Sequence, residues 1–216
     1  MERVEHDGVR IEYELLDGGK PTVVLPHARP FVSWYSPLAG ALDRATLRYR
    51  RSVPPGRSWR IEDDAVLCAR LLTRLGIERP DVVGHSYGGL VALELARDHG
   101  VDPRSVALLE PDVPGALDEA IVNADAFFAV EFPAAIRWSF ALADVREDLP
   151  VLTIRGTESA PRSVEAAEIV HSWFPRSAFH VLDGASHLLV AEEPAAIAKR
   201  LTEFWASPTN GTFDQT

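Results

Sequence analysis

The chain has 216 residues, 46% of them hydrophobic and 25% charged, which is the composition of one globular domain with a substantial core. Its formal net charge of −10 argues against a nucleic-acid partner, because phosphate backbones are bound by clustered cations. The single cysteine, Cys68, rules out an internal disulfide and, lying in an apolar-periodic segment, reads as a small core residue.

A first strand over 2–6 turns at Asp7-Gly8 into a second, where Val9, Ile11, Tyr13 and Leu15 alternate with polar residues. Short apolar runs at 22–26 and 46–50 suit buried strands of a mostly parallel sheet. A helix over 61–75 follows, because Ile61, Ala65, Cys68, Leu72 and Leu75 step by 4, 3, 4 and 3 into one stripe. Glu62, Asp63 and Asp64 fall in its first turn, where carboxylates complement the helix dipole.

Further apolar runs at 80–84, 105–110, 151–155 and 178–182 read as strands, with helices over 90–97 and 194–204. This alternation predicts a doubly wound α/β sheet, mostly parallel and flanked by helices. The segment 111–149 carries Phe127, Phe128, Phe132, Trp138 and Phe140, with Pro133 interrupting, and reads as two short helices. Those aromatics serve either core packing or a small helical lid lining an acyl pocket. The polar tail 207–216 is expected to be disordered, leaving 1–206 as a single domain. No run reaches the roughly 18 apolar residues of a membrane span, and the first residues lack a signal peptide's apolar stretch. A cytoplasmic protein is therefore expected.

The stretch with most chemical content is Asp81-Val82-Val83-Gly84-His85-Ser86-Tyr87-Gly88-Gly89-Leu90. It holds Gly-x-Ser-x-Gly between an expected strand and an expected helix, the context of a nucleophile elbow. There Ser86 sits on a sharp turn, and Gly84 and Gly88 leave room for neighbouring backbone. The helix that follows points its N-terminus at the reacting centre. His85 points the wrong way for a base and is expected to support packing or the elbow.

On these residues the chain resembles the α/β-hydrolase superfamily from about residue 9 to 206. Val23-Val24-Leu25-Pro26-His27-Ala28-Arg29-Pro30 looks like that family's strand ending in a His-Gly oxyanion loop, departing from it at Ala28. The resemblance implies an oxyanion hole made by the backbone N–H groups of Arg29 and Tyr87, with His27 supporting the loop. It also implies a histidine base on the loop after the last strand. His187, in Asp183-Gly184-Ala185-Ser186-His187, fits that place. His6, His99, His171 and His180 are expected to be structural or exposed.

The family's usual acid position, a Gly-x-x-Asp after the seventh strand, reads Gly156-Thr157-Glu158-Ser159 here. Three carboxylates remain open: Glu110 at the end of the run 105–110, Glu158 and Asp112. Glu110 is favoured, because some superfamily esterases place the acid after the sixth strand, at the sheet edge where α/β sites assemble. One such esterase subgroup has a serine at the seventh-strand position assisting the histidine, and Ser159 is similar to it.

A serine hydrolase of carboxylic esters or lactones, working through a Ser-His-Glu triad and an acyl-enzyme, is the expected activity. Ser86 excludes dehalogenase chemistry, which needs a carboxylate at that position. Ligand-spaced histidines and a dinucleotide fingerprint are absent from the sequence, so no metal or cofactor is implied. The expected partner is a small-molecule substrate, without membrane or nucleic acid, for a monomer or homodimer. Carbon–carbon bond hydrolysis, a lyase or cyclase reaction, and a non-catalytic binder stay open as alternatives.

Overall fold

The computed structural model describes residues 1–19, 21–26, 34–54, 56–97, 99–111, 125–140, 147–174 and 177–206, with the side chains of 125–129 and 131 left aside. The expected tail and about half of the expected cap, 112–124 and 141–146, lie outside these residues.

Strands β1 (Glu2–His6) and β2 (Val9–Leu16) form an antiparallel hairpin across Asp7 and Gly8, both at positive φ (48° and 75°), as a tight two-residue turn requires. Then come β3 (Val23–Leu25), α1 (Ser36–Ala41), β4 (Thr46–Ser52), α2 (Ile61–Leu75), β5 (Asp81–His85), α3 (Tyr87–Ala96) and β6 (Ser105–Leu109). The chain continues through α4 (Asp125–Arg137), β7 (Val151–Gly156), α5 (Pro161–Trp173), β8 (Ala178–Leu182), α6 (Leu189–Glu192) and α7 (Pro194–Ala206). The eight strands make one sheet in the order β1-β2-β4-β3-β5-β6-β7-β8, parallel from β4 to β8.

That order creates the crevice. From β3 the chain crosses to β4 on one side, then returns past β3 to β5 on the other, so the direction of winding reverses between β3 and β5. Connections leaving at such a point diverge and open a gap at the carboxyl ends of the strands. Ser86, the residue after β5, stands at that gap.

Both faces of the sheet are covered, which is why its central strands are apolar on both sides. Val82, Val106 and Leu108 face a cluster built with Leu67 and Leu71 of α2 and Leu90 of α3. Val83, Ala107, Leu109 and Ile154 face another, built with Leu38 of α1, Leu189 of α6 and Ile197 and Leu201 of α7. Cys68 is fully buried in the first cluster, and burial pushes its thiol up to about 12, so it is an unreactive packing group.

The aromatic segment departs from its expected form. Where a break at Pro133 suggested two short helices, α4 runs through Pro133 without ending. Ala134, Ala135 and Trp138 are buried in the first core cluster, and Phe140 packs between Trp138 and the Trp173 and Phe174 rings at the α5 end. Trp138 Nε1 also donates to Glu94 of α3 at 2.8 Å. Trp138 and Phe140 therefore pack against the domain, while the side chains of Phe127 and Phe128 lie outside the described residues. No helix among the described residues is long and apolar enough to cross a membrane.

Candidate active site

Ser86 carries φ 54° and ψ −126°, a conformation that costs a non-glycine residue about 1–3 kcal/mol and persists only where the surroundings enforce it. The enforcement is visible. Ser86 N donates to Leu109 O at 3.0 Å, continuing the β5–β6 ladder, while Gly89 N donates to Ser86 O at 2.8 Å as α3 starts. A Cβ on Gly84 would overlap the Gly88 carbonyl, so strand and helix meet this tightly only with glycine at 84. The helix begins three residues earlier than its apolar pattern, at Tyr87, because the glycines at 88 and 89 hide its first turn from a periodicity reading.

His187 lies between β8 and α6, in the loop where the sequence places the base. Its Nε2 is 3.1 Å from Ser86 Oγ, and its Nδ1 is 3.0 Å from Glu110 Oε2. Glu110 directly follows β6 and is fully buried. It too has a positive φ, 47°, so two neighbouring strands end in strained, non-glycine turns side by side.

Glu110 Oε1 accepts from Gly156 N at 2.8 Å and from Ser159 Oγ. Burial alone would raise the Glu110 pKa. The hydrogen bonds from His187, Ser159 and Gly156 outweigh burial and hold the carboxyl below its usual value. An ionised carboxylate only accepts, so Nδ1 of His187 carries the proton and Nε2 turns its lone pair to Ser86.

The structure thus brings Ser86, His187 and Glu110 into one chain of hydrogen bonds and leaves Glu158 out. The Glu158 side chain is exposed, while its backbone N–H is used on Ala185 O at 2.9 Å. Asp112, the third open carboxylate, lies outside the described residues, as do His27, Ala28 and Arg29 of the expected oxyanion loop. Ser159 donates to the carboxylate of Glu110, which in turn is bonded to His187. Of the other histidines, His99 pairs with Glu94 at 2.9 Å, His171 with Ser177 at 2.7 Å and His180 with Arg200 at 3.1 Å.

A second buried group beneath the elbow escaped the sequence reading. Asp64, expected merely to complement the α2 dipole, is 4% exposed. It accepts from Arg51 (2.6 and 2.9 Å), from Trp59 Nε1 (2.9 Å) and from the Tyr87 hydroxyl (2.5 Å). The signal was available: with Ile61, Ala65 and Cys68, position 64 falls on the buried i, i+3, i+4 face. Asp64→Ala removes the counter-charge of an Arg51 that is 3% exposed. It is expected to lower stability by about 3–5 kcal/mol, read from the urea midpoint.

Residues 23–150 match the Alpha/beta hydrolase family. A relative in Cupriavidus necator, the dihydrolipoyllysine-residue acetyltransferase component of an acetoin cleaving system, is 35% identical over 113 residues, 49% of this chain. The match spans 30% of that protein's length. Among solved structures, a hydrolase from Pseudomonas aeruginosa PA01 is similar with a TM-score of 0.78 at 19% identity, over 95% of this chain and 98% of that one. An enol-lactonase from Burkholderia xenovorans LB400 follows at 0.76 and 19%, over 95% and 100%. A thermophilic esterase from Thermogutta terrifontis stands at 0.76 and 18%, over 95% and 98%. At such identities the likeness is one of fold.

Proposed function

The chain belongs to the alpha/beta hydrolase family, and from that premise we propose that it hydrolyses a carboxylic ester or lactone with Ser86 as nucleophile, His187 as base and Glu110 as acid. The observation that carries this reading is the unbroken hydrogen-bond chain from Ser86 Oγ through both ring nitrogens of His187 to a buried carboxylate. A serine hydroxyl attacks a carbonyl only when a positioned imidazole takes its proton, and this chain supplies one in the required tautomer. Solved proteins of the same fold that are named as an esterase and an enol-lactonase support the substrate class.

In the proposed cycle Ser86 Oγ bonds to the acyl carbon as its proton moves to His187 Nε2. The oxyanion is held by the Tyr87 N–H, at the positive end of the α3 dipole, and by the resemblance also by the Arg29 N–H. His187 then passes the proton to the leaving alkoxide oxygen as its bond to the acyl carbon breaks. Water repeats the sequence: its proton goes to His187, its oxygen to the acyl carbon, and Ser86 leaves reprotonated. Glu110 keeps the imidazole oriented and stabilises its cation.

Incubation with an alkyl fluorophosphonate tests this. One phosphonyl group is expected on the peptide containing Ser86, with turnover of short p-nitrophenyl esters lost in step. Turnover that survives full labelling, or an adduct on a different residue, overturns the proposal.

A further inference from the structure

His85 is the last residue of β5 and immediately precedes the nucleophile of the proposed reaction. On a strand successive side chains alternate between faces, so His85 shares the face of Val83, the one covered by α1, α6 and α7. It is 4% exposed there. Its Nε2 lies 2.7 Å from the main-chain carbonyl oxygen of His187, and its Nδ1 lies 2.8 Å from the hydroxyl of buried Tyr35. The His85 and His187 rings are 5.0 Å apart, centre to centre.

Elementary hydrogen-bond chemistry settles the direction of both contacts. A carbonyl oxygen only accepts, so Nε2 of His85 carries a proton and donates. In a neutral imidazole Nδ1 then accepts, and the Tyr35 hydroxyl donates to it. The His187 carbonyl therefore fixes the tautomer of His85, and the Tyr35 hydroxyl matches it by donating to Nδ1. The other tautomer would set a lone pair against that carbonyl.

The contact matters because of the sheet order. β5 and β8 are separated by β6 and β7, so the serine and the histidine loop belong to elements three strand positions apart. Small differences in strand twist accumulate over that separation. The loop is tied on either side of His187. Ser186 N donates to Glu192 at 2.8 Å, Leu188 N to Ser186 Oγ at 3.1 Å, and Gly184 N to Thr157 Oγ1 at 2.8 Å. These bonds fasten the loop to itself, to α6 and to the residues after β7. The His85 bond instead fastens it directly to the end of β5, one residue from Ser86.

We propose that His85 is a positioning residue of the reaction: its Nε2–H holds the His187 main chain at the distance at which the imidazole meets Ser86 Oγ, and the Tyr35 hydroxyl, bonded to Nδ1, holds the His85 ring in the place that does so. This goes beyond elbow support and rests on the serine-hydrolase reading above. It assigns His85 no contact with substrate. Its effect belongs on kcat, because the misplaced group would be the base and not a binding contact.

The test compares His85→Leu, His85→Gln and Tyr35→Phe in steady-state hydrolysis of a short p-nitrophenyl ester, with Ser86→Ala measured alongside. Leucine fills the site without a donor and is expected to lower kcat about 10²-fold with KM little changed, the size of a misplaced catalytic group. Glutamine places an amide N–H near the Nε2 position and is expected to recover kcat to within about fivefold of the native chain. Tyr35→Phe leaves the phenyl ring in place and removes the hydrogen bond that holds His85 Nδ1, lowering kcat about tenfold, the equivalent of one hydrogen bond.

A leucine variant with native kcat overturns the proposal, as does a folded glutamine variant no better than the leucine one. If His85→Leu does not fold, Tyr35→Phe decides, and native kcat there is the overturning result. Failure of the underlying reading gives a different pattern, since Ser86→Ala would then retain activity.

Discussion

Ser86→Ala is expected to reduce kcat for ester hydrolysis by about 10³- to 10⁶-fold with little change in KM. The substitution removes one oxygen, the one 3.1 Å from His187 Nε2. No other hydroxyl in the described chain is placed at both a switch-point elbow and a base. Backbone strain is the same for alanine as for serine at φ 54°, so the thermal midpoint is expected to stay near that of the native chain. Binding and the oxyanion donors remain, and they set the residual rate. A variant that hydrolyses p-nitrophenyl esters at the native rate would sink the mechanism.

Glu110→Gln is expected to lower kcat by about 10³- to 10⁴-fold while leaving the fold intact. The argument comes from what surrounds the side chain. Gly156 N–H and Ser159 Oγ–H both donate to Oε1 of Glu110. In the variant these two donors keep the amide oxygen on their side. The amide NH₂ then faces His187 Nδ1 and donates to it, which drives the ring proton to Nε2, opposite Ser86 Oγ. That tautomer cannot accept the serine proton.

The same residue predicts a pH effect on stability. Its carboxyl is held low in the folded chain, so its contribution is complete above the carboxylate's unfolded value and is lost as pH falls through the folded one. Urea midpoints measured through the acid range are expected to fall less steeply for Glu110→Gln than for the native chain. Native activity in the variant would shift the acid away from Glu110.

Several parts of this arrangement could be read before any coordinates. The strands and the α2 stripe follow from alternation and from 3.6-residue periodicity, which need only neighbouring residues. The helices α1 and α5 carry no legible periodicity, and for α5 the reason is physical. The buried face of α5 is Ser163, Ala166, Ala167 and Val170, small residues that carry little periodic hydrophobic contrast although they pack fully. The aromatic run around Pro133 leaves core packing and a lid equally open, because local sequence does not say against what an aromatic packs. For Trp138 it is α3, and for Phe140 the end of α5.

At the elbow, sequence by itself determined a serine between two glycines at a strand-to-helix junction and a histidine on the last loop, because backbone geometry there permits few residue types. Which carboxylate meets that histidine was decided only by tertiary structure. Glu110 and Glu158 both sit at strand ends in the chain, and a side chain's direction there depends on the turn it occupies. The positive φ at Glu110 and the donors from Gly156 and Ser159 turn it inward, while Glu158 faces solvent. The bond from His85 to the His187 carbonyl is of the same kind, joining residues 102 positions apart that only the sheet order brings together.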